Sequence, residues 1–141
     1  MNLFTSAQVA QDFITAGNAI VTFKSLATGR HFTYRVKSPS GSTPTSLRFV
    51  SVLTGANNER DYEYVGTLNE GGHFRHGAKS RISPDALSVK AFAWVWQALR
   101  AGAIPAEAEV HHEGRCGRCG RTLTTPESLE SGIGPVCEGR E

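Results

Sequence analysis

Alternating apolar residues in the first half of the chain constrain the fold most strongly. The stretch "AIVTFKSLATGRHFTYRVKS" (19–38) places apolar side chains at every second position on both sides of the turn "LATGRH". Alternation with a period of two is typical of a strand with one buried face, and two such runs around a turn predict a β-hairpin. "LRFVSVLTG", "YEYVGTL" and the segment after the Gly-Gly turn of "NEGGHFRHG" predict further strands. The sequence therefore predicts a small antiparallel β-sheet of four or five strands.

Two segments have helical periodicity. Residues 5–17 predict a short helix that Thr5 or Ser6 caps and Gly17 ends. Residues 84–101 predict the main helix, because Ser83 is a natural N-cap, proline fits the first helical position, and Gly102 follows the last turn. The main helix carries two apolar stripes, so we expect it to cover the sheet on one side and to contact the C-terminal segment on the other. The second stripe consists of Leu87, Ala91, Trp94 and Ala98.

All three cysteines lie between residues 116 and 137. An odd number of cysteines in a chain without a recognisable secretory signal favours thiols in a reducing cytoplasm over a disulfide framework. Cys116 and Cys119 form a Cys-x-x-Cys-Gly turn, which lets two thiolates converge on one ion. Cys137 follows the turn "GIGP" and supplies a third candidate sulfur; a short helix is predicted between the two turns, beginning at Pro126.

A fourth ligand would come from His111 or His112. If "AEVHH" is a strand, adjacent side chains point to opposite faces, so one histidine of the pair can face the metal; we favour His112. The predicted site is a structural Cys3His Zn²⁺ centre with no open coordination position. The alternatives are a redox Cys-x-x-Cys with a bystander Cys137, or buried free cysteines. The chain has no βαβ unit of the thioredoxin type around the motif, which favours zinc.

The same segment resembles a known family. "GRCGRCGRTLTTPESLESGIGPVC" is similar to the zinc-ribbon-like domain of unknown function DUF6011, which occurs in bacterial and phage proteins. The resemblance implies a metal-binding role for Cys116, Cys119, Cys137 and His112, and a setting in the cytoplasm of a bacterial host. The family supplies no activity that could be transferred to this chain.

Basic residues cluster in two places. The segment "HFRHGAKSR" leads directly to the main helix, where converging cations and free helix N–H groups would form an anion site. The alternative is a solvated turn whose charges only keep the surface soluble. Arginines of the cysteine segment would extend this basic surface, and strand aromatics would stack bases if they were exposed. The predicted nucleic-acid-binding residues are Arg75, His76, Lys79, Arg81, Arg115, Arg118 and Arg121.

These observations predict an α+β fold. A small antiparallel sheet covered by one main helix would occupy residues 1–104, and a C-terminal Cys3His zinc ribbon would occupy residues 105–141. No nucleophile elbow, P-loop, dinucleotide fingerprint or His-Glu-x-x-His motif is present, so we do not expect an enzyme. No apolar stretch approaches the ~18 residues of a membrane span.

Two functions fit these features. The first is a zinc-binding accessory protein of phage origin that binds nucleic acid with low sequence specificity. The second is a protein-binding phage factor that inhibits a host enzyme or defence complex, in the manner of an anti-CRISPR protein. The sign of the second would be an exposed apolar patch around Trp94 and Leu87.

Overall fold

The computed structural model describes residues 2–39, 47–57, 60–123 and 126–133. In chain order, its elements are β1 (Asn2–Leu3), α1 (Ala7–Ile14), β2 (Asn18–Ser25), β3 (His31–Lys37), β4 (Arg48–Leu53), β5 (Tyr62–Leu68), β6 (Phe74–His76), α2 (Leu87–Arg100), β7 (Ala108–His112) and α3 (Pro126–Ser131). The predicted hairpin, the next three strands and the short helix at Pro126 are confirmed.

The strands form one seven-stranded antiparallel sheet in the order β1-β7-β2-β3-β4-β5-β6. From β2 to β6, each strand pairs with the next one in the chain, as expected for a meander joined by turns. β7 comes from the C-terminal segment and lies between β1 and β2, with Phe23 opposite Val110 and Val21 opposite His112. The C-terminal segment is therefore built into the main sheet.

Helices α1 and α2 pack on the same face of the sheet. Their apolar residues join alternate strand residues in one core, in which the Phe92 ring lies 5.0 Å from the ring of Tyr34. The Tyr34 hydroxyl donates a hydrogen bond to the Ser88 carbonyl at 2.6 Å, and burial raises the pKa of this phenol. The hydrogen bond satisfies the one polar atom that the tyrosine brings into the apolar layer.

The predicted start of α1 is confirmed, whereas the predicted start of α2 is wrong. Ser6 caps α1 and accepts a hydrogen bond from the Val9 N–H, as one of the two proposed caps. The main helix begins at Leu87 rather than residue 84, and Ala86 stands at its N-cap without a side-chain hydrogen bond. Ser83 instead accepts the N–H of Asp85 in the preceding turn. The serine therefore stabilises a local turn, an alternative that short hydroxyl side chains commonly offer the backbone.

The predicted fold class is wrong. The sheet has seven strands in the described part of the chain, not four or five, and α1 shares the covering of its face with α2. Among the residues that the structure describes, no group of three or more His, Cys, Asp or Glu side chains is placed to hold a metal, so the Cys3His ribbon is not found there. The sequence supports β7 only as a conditional strand, because it offers few inward apolar residues, Ala108 and Val110, before His112.

Candidate nucleic-acid interface

The sheet has a second face, opposite the helices, which we call the open face. Strand residues alternate between the two faces. On the core side, Tyr34 contacts α2, Phe13 of α1 packs in the core, and His112 contacts α3. The open face is formed by the remaining alternate positions. They are Asn18, Ile20, Thr22, Lys24, His31, Thr33, Arg35, Lys37, Phe49, Ser51, Leu53, Tyr62, Tyr64, Thr67, Arg75, Glu109 and His111.

One row of the open face crosses five strands. The register places Asn18 opposite Lys37, Lys37 opposite Phe49, and Phe49 opposite Thr67. Thr67 in turn pairs with Arg75 on the edge strand β6. Since neighbouring strands lie about 4.8 Å apart, the row extends for about 19 Å. It therefore carries cations and an aromatic ring over a length that several nucleotides would cover.

A basic pocket lies at the β2 end of this row. Its volume is about 280 Å³, and its walls include Arg35, Lys37 and Arg115 together with the carboxylate residue Glu113. Asn18 and Gly120 complete the wall on the side of the cysteine turn. Three cations facing one carboxylate leave the pocket positively charged, which favours an anionic ligand such as a phosphate group.

Aromatic side chains lie beside these cations. Phe49 is 39% exposed, and its ring centroid lies 6.2 Å from that of Tyr64 in an edge-to-face arrangement. The Arg35 guanidinium carbon lies 4.3 Å from the centre of the Tyr62 ring, within the range of a cation–π contact. Burial raises the pKa of Tyr62, as does the nearby charge of Glu113, while Arg35 acts in the opposite direction. Phe49 is thus the aromatic ring most available for stacking on this face.

Two buried polar atoms on the open face have no hydrogen-bond partner among the described residues. They are the hydroxyl oxygen of Tyr62 and Nδ1 of His111. An unpaired buried polar atom costs about 1–3 kcal/mol, so such atoms need a reason to persist. Both belong to the row that runs from β7 through Thr22 and Thr33 to β5, directly beside Arg35.

The predicted basic loop at residues 73–81 does not form one cluster. Phe74–His76 is strand β6, so Arg75 and His76 point to opposite faces. Arg75 joins the open face, whereas His76 Nε2 donates to the Ile82 carbonyl at 2.7 Å on the core side. Lys79 and Arg81 are exposed in the turns before α2. Of these four predicted residues, the structure brings Arg75 to the open face.

The three predicted arginines of the cysteine segment are all exposed. Arg115 lines the basic pocket. Arg118 and Arg121 belong to the cysteine turn, where the Arg118 N–H approaches Cys116 Sγ at 3.4 Å and the Arg121 carbonyl accepts the Cys116 N–H at 2.8 Å. Their backbones shape the turn, while their side chains lie at its surface.

Arg35 is the site residue that the sequence analysis missed. The signal was present in β3, "HFTYRVK", because Tyr34 and Val36 face the core and their neighbours Arg35 and Lys37 must then face away. The pattern assigns the two residues to one face of a strand. It does not show that the described helices leave this face uncovered, which depends on the packing of α1 and α2.

The described part of the predicted metal site consists of Cys116, Cys119 and His112, while Cys137 lies outside the described residues. Cys116 is buried and Cys119 is exposed. Gly117, between them, is held by a hydrogen bond from its N–H to the Gly132 carbonyl at 2.8 Å. The turn is therefore fixed to the end of α3 through its backbone.

Both ring nitrogens of His112 are already used. Nε2 donates to the Leu129 carbonyl at 2.6 Å, and Nδ1 accepts the Gly114 N–H at 3.0 Å. The ring is buried between Phe4 and Phe13, with centroids 5.0 and 5.4 Å away. Burial lowers the pKa of His112, against the opposing effect of the Leu129 hydrogen bond. A metal could bind this ring only by displacing one of its two hydrogen bonds.

His111 does not replace it, because its Nε2 lies 3.1 Å from the Glu109 carboxylate on the other face of the sheet. The alternation that predicted one histidine per face is confirmed, with His112 on the core side. The described residues do not assemble four ligands, and bound zinc stays a prediction from the sequence. The described residues do show that His112 hydrogen-bonds β7 to α3 and to the turn that leads to Cys116.

Comparison with known proteins gives one match. No curated protein and no solved structure is significantly similar to the chain. Within the described part of the chain, no helix combines the length and the apolar character needed to cross a bilayer. Residues 106–141, which include β7, the cysteine turn and α3, match the family model of DUF6011, a family of unknown function. The C-terminal segment of this chain is therefore similar to the DUF6011 family.

Proposed function

We propose that the protein binds single-stranded nucleic acid on the open face, without catalysis and with low sequence specificity. One observation carries the proposal: cations and an exposed aromatic ring share a single face of the sheet that the described helices leave uncovered. Lys37 and Arg75 lie in one row with Phe49 between them, and Arg35 and Arg115 border the same row in the basic pocket.

The proposed mechanism divides the work between charge and stacking. Arg35, Lys37, Arg75 and Arg115 neutralise phosphates along the row, and counterions released from the strand supply the free energy. Phe49 offers a ring on which a base stacks, an interaction that tolerates any base because every base has an aromatic face. The row is flat and none of the described helices lies on it, which favours a single strand over a duplex, whose bases are inaccessible without a groove-reading element.

The proposal predicts a defined dependence on salt. For a single strand, the logarithm of the binding constant falls with the logarithm of salt concentration with a slope of about −0.7 for each phosphate contacted. Four cations therefore predict a slope of about −2.8. Fluorescence anisotropy with labelled oligo-dT and oligo-U of about 12 nucleotides, at several salt concentrations, measures this slope directly.

Variants assign the binding to the open face. Lys37→Ala and Arg75→Ala should each reduce the slope by about 0.7, and Phe49→Ala should weaken binding by about 1–3 kcal/mol at constant salt with the slope unchanged. The matched control is Lys90→Ala, because Lys90 is an exposed lysine on α2, on the other side of the sheet. Absence of binding at low salt, or an equal effect of Lys37→Ala and Lys90→Ala, would overturn the proposal.

A further inference from the structure

A groove lies on the helix side of the molecule, between α2 and the turn end of the β2–β3 hairpin. Its volume is about 750 Å³, and its apolar walls include Phe23, Phe32 and Val95. Two large apolar side chains at its mouth are exposed to solvent: Leu87 is 55% exposed and Trp94 is 47% exposed. A tryptophan and a leucine left half outside a core are typical of binding surfaces.

The exposed residues follow the helix. Leu87, Ala91 and Trp94 all line the groove and are spaced at i, i+4 and i+7 along α2. Residues with this spacing share one face, and the stripe extends for about 10.5 Å, or two helical turns. The opposite stripe, which includes Phe92 and Leu99, is buried in the core. The outer stripe is expected from the sequence to contact the C-terminal segment, but Leu87 and Trp94 of this stripe lie open in the groove.

The charges around the groove have one sign. Arg30 lies on the hairpin side and Lys90 lies on α2. No carboxylate side chain is among the groove-lining residues of the described chain. An occupant must therefore combine apolar anchors with negative charge, since electrostatic complementarity selects partners and suppresses wrong ones.

From this combination we infer that the groove docks an acidic amphipathic helix of a partner protein. Apolar side chains of that helix enter the trough beside Leu87 and Trp94, and its carboxylates meet Arg30 and Lys90. Helix-in-groove recognition reads anchors spaced at i, i+3 or i+4 and i+7, which matches the two-turn length of the stripe. A concave trough accepts a helix more fully than it accepts the flat surface of a membrane. This site is separate from the open face and does not depend on it.

The test uses a pair of labelled synthetic peptides about 16 residues long, long enough to hold helical structure. Both carry leucines at i, i+4 and i+7; the acidic peptide has glutamate at the flanking positions and the basic twin has lysine. The acidic peptide should bind the full-length protein at least about tenfold more tightly, measured by anisotropy of the label. The Arg30→Glu/Lys90→Glu double variant should reverse this preference.

The apolar contacts of the groove are tested by alanine substitutions, with an exposed leucine outside the groove as the control. Leu87→Ala and Trp94→Ala should each weaken binding of the acidic peptide about tenfold or more. Leu3→Ala is the control, because Leu3 is 50% exposed on β1 and does not line the groove. All three side chains are about half exposed, so circular dichroism should show an unchanged fold.

Four results would overturn the inference. They are equal binding of the two peptides, absence of binding near 1 mM peptide, full affinity in Trp94→Ala, and displacement of the acidic peptide by oligo-dT. Binding of dodecanoate or of anionic phosphatidylglycerol vesicles in place of the peptide would assign the groove to a different ligand. If the peptide does not bind but the oligonucleotide still does, the inference about the groove fails while the proposed function of the open face stands.

Discussion

Replacing Gly132 by alanine tests how the C-terminal segment is attached to the fold. Gly132 has φ +77°, and an added Cβ would lie 2.9 Å from Cε1 of Phe13. Phe13 is fully buried on α1 and cannot easily move, because Phe4 and His112 pack against its ring. The left-handed conformation costs a non-glycine residue about 1–2 kcal/mol, and overpacking a core costs a further 1–3 kcal/mol. We expect Gly132→Ala to lower the free energy of unfolding by about 2–5 kcal/mol.

Gly29→Ala is the matched control for this prediction. Gly29 has φ +73° in the hairpin turn, and an added Cβ would meet no atom within 4 Å. It therefore carries the conformational cost alone, about 1–2 kcal/mol. Urea unfolding monitored by tryptophan fluorescence measures both variants, and their difference reports the contact with Phe13. A difference below about 0.5 kcal/mol would refute the packing of the C-terminal segment on α1.

Three further predictions concern polar groups. Tyr62→Phe should raise the free energy of unfolding by about 1 kcal/mol, because it removes a buried hydroxyl without a described partner, and a loss of stability in urea unfolding would contradict this reasoning. Burial lowers the pKa of His112 below its ordinary value of 6.5, so the unfolded chain takes up a proton first as the pH falls. Stability should hold above about pH 6.5 and fall below it; His112→Gln should lose this dependence in urea unfolding, while the exposed control His31→Gln should keep it. If the protein binds zinc, elemental analysis of protein purified under reductant should find one metal ion per chain, and the Cys116→Ser variant should lose it. Folded protein without metal would contradict that prediction.

The strands with strong alternation were predictable because their side chains carry the signal themselves. Val21, Tyr34 and Val50 all lie in the core on the face that the period of two assigns to them. The sequence also predicted that His111 and His112 occupy opposite faces, which the register of β7 confirms. In these cases, local pattern and tertiary packing lead to the same structure.

The arrangement of the sheet could not be predicted in the same way. β1 consists of two residues, and β7 follows Pro105 with few apolar side chains, so neither has a clear strand pattern. Their pairing depends on contacts between residues far apart in the chain, such as Leu3 with His111. Arg35 was missed as a site residue for the same reason, because it meets Arg115 in one pocket only after β7 pairs with β2. The sequence could not show that the His112 ring binds the Leu129 carbonyl on α3, because this hydrogen bond is a tertiary contact. The ring was therefore available, on sequence grounds alone, as a predicted metal ligand.

Mapping an oligonucleotide onto the protein by amide NMR tests the central claim most directly. Titration of isotope-labelled protein with oligo-dT should shift the signals of β3 and β4 around Lys37 and Phe49, and that of Arg75 on β6, in a salt-dependent and saturable way. The signals of α2 around Lys90 and Trp94 should stay unchanged. Shifts confined to α2, or no shifts at low salt, would contradict the account.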